Sequence, residues 1–234
     1  MDKIIIINLE TRTDRRKACL DALETQGVPE DIIEVYHPIL GNTPTEQNAL
    51  VAHLMAVHRI DFKVLLDREP MRYLSVTNAH LDALQTAMAL DKDELCLILE
   101  DDWGLNRKWS DLSAAMKVLD GQDTHSAFVA QLDGDWGHRM TAPFYGTLPQ
   151  PITTKIGNFY KNTPVWTCHA YVVNPEAAAQ MRSQMITDAL KSFDCSSHFA
   201  PDVYMRRLLD GVNTWTIVPN ASVFEHLDVG GSDH

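Results

Sequence analysis

Three consecutive carboxylates, Glu100, Asp101 and Asp102, directly follow the apolar run 95–99. Such a short apolar run is typical of a buried strand, and ligands of open α/β sheets bind beyond the carboxyl ends of their strands. Adjacent carboxylates repel one another unless a cation lies among them, and oxygen ligands suit Mg²⁺ or Mn²⁺. Because Glu100 and Asp102 point to the same side of an extended chain, we predict Asp102 as a metal ligand, assisted by Glu100. The competing interpretation is a solvated acidic turn.

A basic cluster follows the β-branched run 3–8. Arg12, Arg15 and Arg16 come just after Asn8, at the predicted start of a helix. Helix N-termini attract anions, whereas cations there oppose the helix dipole. The cluster therefore indicates an anionic ligand, and the alternative is that long basic side chains decorate a surface helix.

Further polar residues lie at the predicted ends of other elements, and each also has a structural explanation. An Asp in the first turn of a helix is stabilised by the helix dipole alone, and a lone His is usually structural. Tryptophans beside these motifs could form a platform for a sugar ring, although core packing is their commoner role. The candidates are Ser75, Asn78 and His80 at a helix start, Asp133 and Asp135 after a strand, Asp202 in a helix, and His226 after the last strand.

Alternating strands and helices must position these residues. Such alternation predicts an α/β fold, with a Rossmann-type, mostly parallel central sheet and helices on both faces. We expect one domain over residues 1–234, with 41–74 as an insert and 138–165 as an irregular loop. The predicted strands are 3–8, 32–36, 95–99, 126–132, 168–173 and 214–218, and the predicted helices begin near 13, 46, 77, 110, 175 and 201.

Composition excludes several classes of protein. The 234 residues carry a formal charge of −12, so strong non-specific binding to nucleic acid is not expected. No apolar run approaches the roughly 20 residues that a membrane helix needs, and the chain starts without a signal peptide. The four cysteines are scattered, which favours reduced, mostly buried thiols. We therefore expect a soluble, cytoplasmic protein.

Taken in order, the motifs resemble glycosyltransferase family 25, which includes lipooligosaccharide galactosyltransferases and collagen galactosyltransferase domains. The similar blocks are Ile-Asn-Leu-x-x-Arg-x-x-Arg-Arg at 7–16, Leu-Ser-x-x-x-x-His-Leu at 74–81 and Leu-Ile-Leu-Glu-Asp-Asp at 97–102. Weaker similarity continues through 164–181 and 200–226. The chain departs from the family pattern at Glu10, where Asp is frequent, and at Ala79, where Ser is usual.

The resemblance implies a GT-A-like fold and an inverting transfer of a sugar from a nucleotide-sugar, expected to be a UDP-sugar, to an acceptor hydroxyl. Mn²⁺ or Mg²⁺ is the implied cofactor, held by Asp102 and His226. The implied catalytic base is Asp202, with Asp133 and Asp135 as alternatives. The acceptor is a glycan, a protein side chain or, in a phage setting, a modified DNA base. The implied donor-binding residues are Asn8, Leu9, Arg12, Arg16, Ser75, Asn78, His80, Glu100 and Asp101.

Two other functions remain open. A nucleotidyl or phosphoryl transferase would use the same carboxylate cluster, although the sequence has neither a Walker loop nor a GxGxxG motif to support it. A non-catalytic nucleotide-sugar binder would have a decayed site, and the three consecutive acids argue against decay.

Overall fold

Strands and helices are interleaved along the described part of the chain, as its sequence predicts. The structure is a computed structural model that describes residues 1–60, 71–121, 127–132, 150, 152–161, 169–191, 215–219 and 223–227. The strands over these residues are β1 (Lys3–Ile7), β2 (Ile33–Tyr36), β3 (Cys96–Glu100), β4 (Trp103–Leu105), β5 (Phe128–Gln131), β6 (Ile152–Thr154), β7 (Gly157–Lys161), β8 (Ala170–Val173), β9 (Trp215–Pro219) and β10 (Phe224–His226). The helices are α1 (Thr13–Thr25), α2 (Pro44–Val57), α3 (Met71–Met88), α4 (Trp109–Asp120) and α5 (Pro175–Lys191).

Eight of these strands form one sheet in the order β2-β1-β3-β8-β5-β9-β7-β6. Six of the eight run in one direction, whereas β8 and β7 run antiparallel to both of their neighbours. The expected α/β fold with a mostly parallel, Rossmann-type sheet is confirmed. Strands β4 and β10 pair separately and antiparallel, which places His226 opposite Trp103.

The sheet separates two apolar cores. Alternate side chains of β1 enter opposite cores, because successive residues of a strand point to opposite faces. Ile5 and Ile7 pack with α2, α3 and α5, whereas Ile4 and Ile6 pack with α1 and α4. Helices therefore cover both faces, as predicted.

Several elements differ from their sequence prediction. Helix α3 begins at Met71 rather than near residue 77. The predicted irregular loop 138–165 contains the antiparallel pair β6–β7, which extends the edge of the sheet. Asp101 and Asp102 form a turn that leads into the unpredicted strand β4.

Polar residues at helix starts differ in what they cap. Asn174 caps α5, since its Oδ1 accepts from the backbone N–H of Ala177 at 2.9 Å. The same oxygen accepts from the N–H of Phe128, which ties the helix start to β5. Thr13 does not cap α1; it is the first helical residue, and the N-cap position belongs to Arg12.

Two of the four cysteines lie in the described part of the chain, and both are buried and free. Burial raises the pKa of Cys19 and of Cys96 to about 12. The expectation of burial is confirmed for this pair, while Cys168 and Cys195 lie outside the described residues. No helix in the described ranges has the length and apolar composition needed to cross a membrane.

Candidate active site

The carboxyl ends of β1 and β3 bring two of the predicted motifs together. Ile7 pairs with Glu100 in the parallel register, so the residues that follow each strand are neighbours. Asn8 is buried, and its Nδ2 donates to Asp101 Oδ2 at 2.6 Å and to the Arg12 carbonyl at 3.0 Å. Asn8 thus joins the acidic turn to the start of α1.

The three acids have different partners. Glu100 contacts two histidines, Asp101 accepts from Asn8, and Asp102 lies against Arg15. We expected an extended chain to place Glu100 and Asp102 together as metal ligands. That alternation ends at Glu100, because the chain turns at the next two residues.

Glu100 accepts from two imidazoles, His80 on α3 and His169 directly before β8. His169 Nδ1 lies 2.9 Å from Oε2 and His80 Nε2 lies 3.4 Å from Oε1. Burial favours the protonated acid, but the hydrogen bonds and charges of His169 and then His80 outweigh it, so the pKa of Glu100 lies well below its usual range. The predicted donor-binding residue His80 is 1% exposed, and its Nδ1 lies 3.0 Å from the Tyr171 hydroxyl. In this structure His80 contacts Glu100 from within the core.

Arg15 is the cation that α1 places on the acidic turn. Its Nη1 lies 3.3 Å from Asp102 Oδ2 and 3.8 Å from Asp101 Oδ1. Burial raises the pKa of Asp101 to about 6; the negative charges of Asp102 and Glu100 add to this rise, while the Asn8 hydrogen bond and the Arg15 charge oppose it. The turn at Asp101 and Asp102 therefore concentrates negative charge, and among the described contacts Arg15 is the guanidinium that lies beside it.

The β4–β10 pair brings His226 to Asp102. The Leu227 N–H donates to the Asp102 carbonyl at 2.7 Å, and His226 Nε2 lies 3.6 Å from Asp102 Oδ2. The sequence places these two residues 124 positions apart, yet it predicts both as metal ligands, and the structure brings them together.

The donor set around Asp102 fits a divalent cation. Two ligand atoms bonded to one ion at about 2.1 Å lie about 3.0 to 3.4 Å apart, close to the separation between the His226 nitrogen and the Asp102 oxygen. Asp102 Oδ1 is buried and accepts no hydrogen bond from the described residues, although buried carboxylate oxygens normally have partners. An ion at this oxygen would supply the missing partner.

Aromatic rings form one wall of this site. The ring of Trp103 stacks on His169 with 5.1 Å between centroids and 12° between planes, and it meets the His226 ring edge-on at 5.8 Å. His169 was not predicted, since no periodicity or motif distinguishes it before β8 is known to lie beside β3. Trp103 directly follows the acidic motif in the sequence, and this adjacency indicates that its ring lies near the site.

Other predicted donor-binding residues make contacts away from the acidic turn. Arg12 pairs with exposed Asp14 at 3.1 Å, and the Leu9 carbonyl accepts from the Arg12 N–H. Arg16 is half-buried on α1.

Two of the three candidates on α3, Ser75 and Asn78, also have their described contacts elsewhere. The Ser75 hydroxyl donates to the Ile39 carbonyl at 2.7 Å, and Asn78 Nδ2 donates to Asp82 at 2.9 Å. The candidate bases Asp202, Asp133 and Asp135 lie outside the described residues.

Comparisons with known proteins give weak structural matches only. The sequence matches no protein-family model, and no curated protein matches it. A glycosyltransferase involved in glycosylation of the major capsid of PBCV-1 is 12% identical with a TM-score of 0.43, covering 98% of this chain and 96% of its own. The bifunctional glycosyltransferase WbbM is 12% identical with a TM-score of 0.45, covering 88% of this chain and 37% of its own. A mannose-1-phosphate geranyltransferase from Thermus thermophilus is 11% identical with a TM-score of 0.40, covering 96% of this chain and 76% of its own. At these values no family, substrate or reaction follows for this chain.

Proposed function

We propose that this protein is an inverting, divalent-metal-dependent glycosyltransferase similar to family 25, acting on a nucleotide-sugar such as a UDP-sugar. The observation that carries the proposal is the carboxylate of Asp102, which lies 3.6 Å from His226 Nε2 and has a buried oxygen without a hydrogen-bond partner among the described residues. A site with this donor set, beyond the carboxyl end of β3, is where an α/β sheet binds a phosphate-bearing ligand.

Asp102 and His226 would hold the cation, Mn²⁺ or Mg²⁺, and the imidazole favours Mn²⁺ of the two. When bound, such an ion neutralises the charge that a nucleoside diphosphate gains as it leaves. Asn8 holds Asp101 and the start of α1 in one arrangement, so that Arg15 stays beside the turn. A guanidinium is suited to phosphate oxygens, so Arg15 joins Arg12 and Arg16 as a proposed contact to the diphosphate.

The remaining donor contacts are proposed from the sequence motifs. They are Asn8, Leu9, Ser75, Asn78, His80, Glu100 and Asp101. Of these, Glu100 and His80 act as positioning residues, because each is engaged with the other at 3.4 Å and His80 is buried.

An assay of nucleotide-sugar turnover with and without Mn²⁺ tests the proposal. We expect sugar release or transfer with the nucleoside diphosphate as the other product. Release of pyrophosphate would instead show a nucleotidyl transferase. Binding of nucleotide-sugars without turnover of any donor would show a non-catalytic binder.

Asp102→Asn should abolish Mn²⁺-dependent turnover while leaving the fold intact, because it removes a negative ligand without changing the shape of the side chain. Turnover, Mn²⁺ titration and circular dichroism on the same preparation measure these effects. The matched control is Asp31→Asn, an exposed acid in the short turn before β2, which should behave as wild type. Near-wild-type turnover of Asp102→Asn at limiting Mn²⁺ would contradict the metal assignment.

Asp202→Asn should lower turnover at least about a hundredfold, the low end for loss of a general base, and should spare donor and Mn²⁺ binding. The motive is the carboxylate that the family-like block Pro201-Asp202 supplies. Asp133→Asn and Asp135→Asn are assayed beside it. A larger kinetic loss in either one moves the base there, and a lower melting temperature with unchanged turnover makes Asp202 a helix-stabilising residue.

A further inference from the structure

Two histidines and an aspartate meet away from the acidic turn, where α2 packs on α3. His53 lies on α2, His58 directly follows it, and Asp82 lies on α3. His53 Nε2 is 2.9 and 3.0 Å from the two Asp82 oxygens, and His58 Nε2 is 3.2 Å from Oδ1. The ligand atoms of this His-His-Asp cluster all lie within 4.8 Å of one another.

The spacing and chemistry of the cluster suit Zn²⁺. Bonds of about 2.0 to 2.2 Å in a tetrahedral arrangement separate neighbouring ligand atoms by about 3.3 to 3.6 Å, so the two histidine-to-Asp82 separations need to open by only a few tenths of an ångström. Two imidazoles and one carboxylate are a common zinc donor set. Imidazole ligands disfavour Mg²⁺ and Ca²⁺, which prefer oxygen.

One ring nitrogen of the cluster is buried and makes no well-aligned hydrogen bond to a described residue. His58 is 2% exposed, and its Nε2 lies 3.2 Å from Asp82 Oδ1 without hydrogen-bond geometry in the described part of the chain. Buried polar atoms are normally hydrogen-bonded. This nitrogen points into the cluster, where a bound ion would supply the missing partner. The side chain of His53 is 28% exposed, which leaves the cluster a side from which an ion can enter.

Groups around the cluster hold Asp82 in place. The Tyr36 hydroxyl, at the end of β2, donates to Asp82 Oδ2, and Asn78 Nδ2 donates to the same oxygen at 2.9 Å. Outer hydrogen bonds of this kind orient the ligands of metal sites. The hydrogen bond from Asn78 to Asp82 also explains the presence of Asn78 at this position without any contact to a donor substrate.

Arg182 on α5 opposes metal binding in a way that can be tested. Its Nη2 lies 2.9 Å from His58 Nδ1 and 3.0 Å from Gln85 Oε1. A guanidinium only donates, so it places the imidazole proton on Nε2. When Nε2 binds an ion, the proton must move to Nδ1, and Arg182 must then release His58 and keep Gln85.

We propose that His53, His58 and Asp82 form a Zn²⁺ site that links α2 to α3 and is separate from the cation site at Asp102 and His226. The two sites share no residue, and the zinc site does not depend on the proposed transferase function.

Zn²⁺ titration of the variant Asp102→Asn, His226→Ala tests the site with the other one disabled. We expect one Zn²⁺ per chain by calorimetry, and a visible absorption band of four-coordinate type when Co²⁺ replaces it. Adding His53→Ala should weaken binding at least about tenfold and remove the Co²⁺ band. His37→Ala is the matched control: it removes an exposed imidazole from the loop after β2, and it should change neither signal.

Stability supplies a second measurement on the same variants. Zn²⁺ should raise the melting temperature of the background variant and of its His37→Ala form, but not of its His53→Ala form. Arg182→Met should tighten Zn²⁺ binding because His58 Nδ1 then loses its donor. Zn²⁺ binding that is unchanged by His53→Ala, or that is already absent from the Asp102→Asn, His226→Ala background, overturns the proposal. His53 is part-exposed, so its variant remains informative even where His58→Ala fails to fold.

Discussion

Asp102 Oδ2 has two nitrogen atoms beside it, Arg15 Nη1 at 3.3 Å and His226 Nε2 at 3.6 Å. The Arg15 side chain is largely buried, and so are those of Asp101 and Asp102. Removing one member of a buried ion pair leaves an uncompensated charge, which costs more than the pair itself contributes. Arg15 therefore stabilises the acidic turn in the absence of a divalent ion.

Arg15→Met should lower the free energy of unfolding by about 3 kcal/mol, because two buried carboxylates then lose the guanidinium beside them. Mn²⁺ should recover part of this loss by occupying the same place. Arg12→Met is the comparison variant and should lower stability less than Arg15→Met does, since its partner Asp14 is exposed. Urea unfolding with and without Mn²⁺ measures both variants. A larger loss for Arg12→Met than for Arg15→Met would contradict this view of the turn.

At the scale of elements, Gly104 decides how closely β4 approaches its neighbours. A Cβ at this position would lie 2.8 Å from Leu227 Cδ2 and 3.1 Å from Ala22 Cβ on α1. Both are closer than ordinary van der Waals contact. The absence of a side chain thus lets the segment that carries His226 lie against the acidic turn.

Gly104→Ala should reduce stability by about 1 to 3 kcal/mol, the usual cost of overpacking, and weaken Mn²⁺ binding because Leu227 adjoins His226. Gly121→Ala, after α4, is the matched control. Its Cβ would meet backbone at 3.4 Å, and its φ of −78° suits any residue. We expect that control to be neutral or slightly stabilising. Calorimetric Mn²⁺ titration and thermal unfolding test both variants, and equal Mn²⁺ affinity in Gly104→Ala and wild type would show that β4 packing does not position His226.

At the scale of the whole molecule, one sheet connects both cores. Adjacent residues of the central strand β3 enter different cores, with Ile98 in one and Leu97 in the other. Both side chains are fully buried. Because β3 contributes side chains to both cores, loss of packing on one face should lower the stability of both cores together.

Ile98→Ala and Leu97→Ala should each lower the free energy of unfolding by about 2 to 5 kcal/mol, through lost burial and the cavity left behind. Each should keep a single transition with the same midpoint by tryptophan fluorescence and circular dichroism. Val118→Ala on α4 is the control, since this side chain is 54% exposed, and it should have little effect. Two separated transitions in either core variant would show that the cores unfold independently.

The sequence predicts those strands and helix ends that depend on residues close together in the chain. The β-branched run that becomes β1, the apolar run that becomes β3 and the start of α5 near residue 175 each depend on neighbouring residues. The acids were predicted at the strand end for the same reason. Strands β1 and β3 pair in parallel over five residues, from Lys3–Cys96 to Ile7–Glu100. The residues that follow each strand, Asn8 and Asp101, are therefore neighbours.

Tertiary structure decided which side chains meet. Arg15 and Arg16 lie on either side of the α1 face that Cys19 and Leu23 bury, so helical periodicity does not choose between them. The rotation of α1 on the sheet makes that choice. His169 reaches Glu100 because β8 enters the sheet antiparallel beside β3. The sequence determined the residue types and most elements, whereas long-range packing determined the contacts, because strand order and helix rotation depend on residues that are distant in the chain.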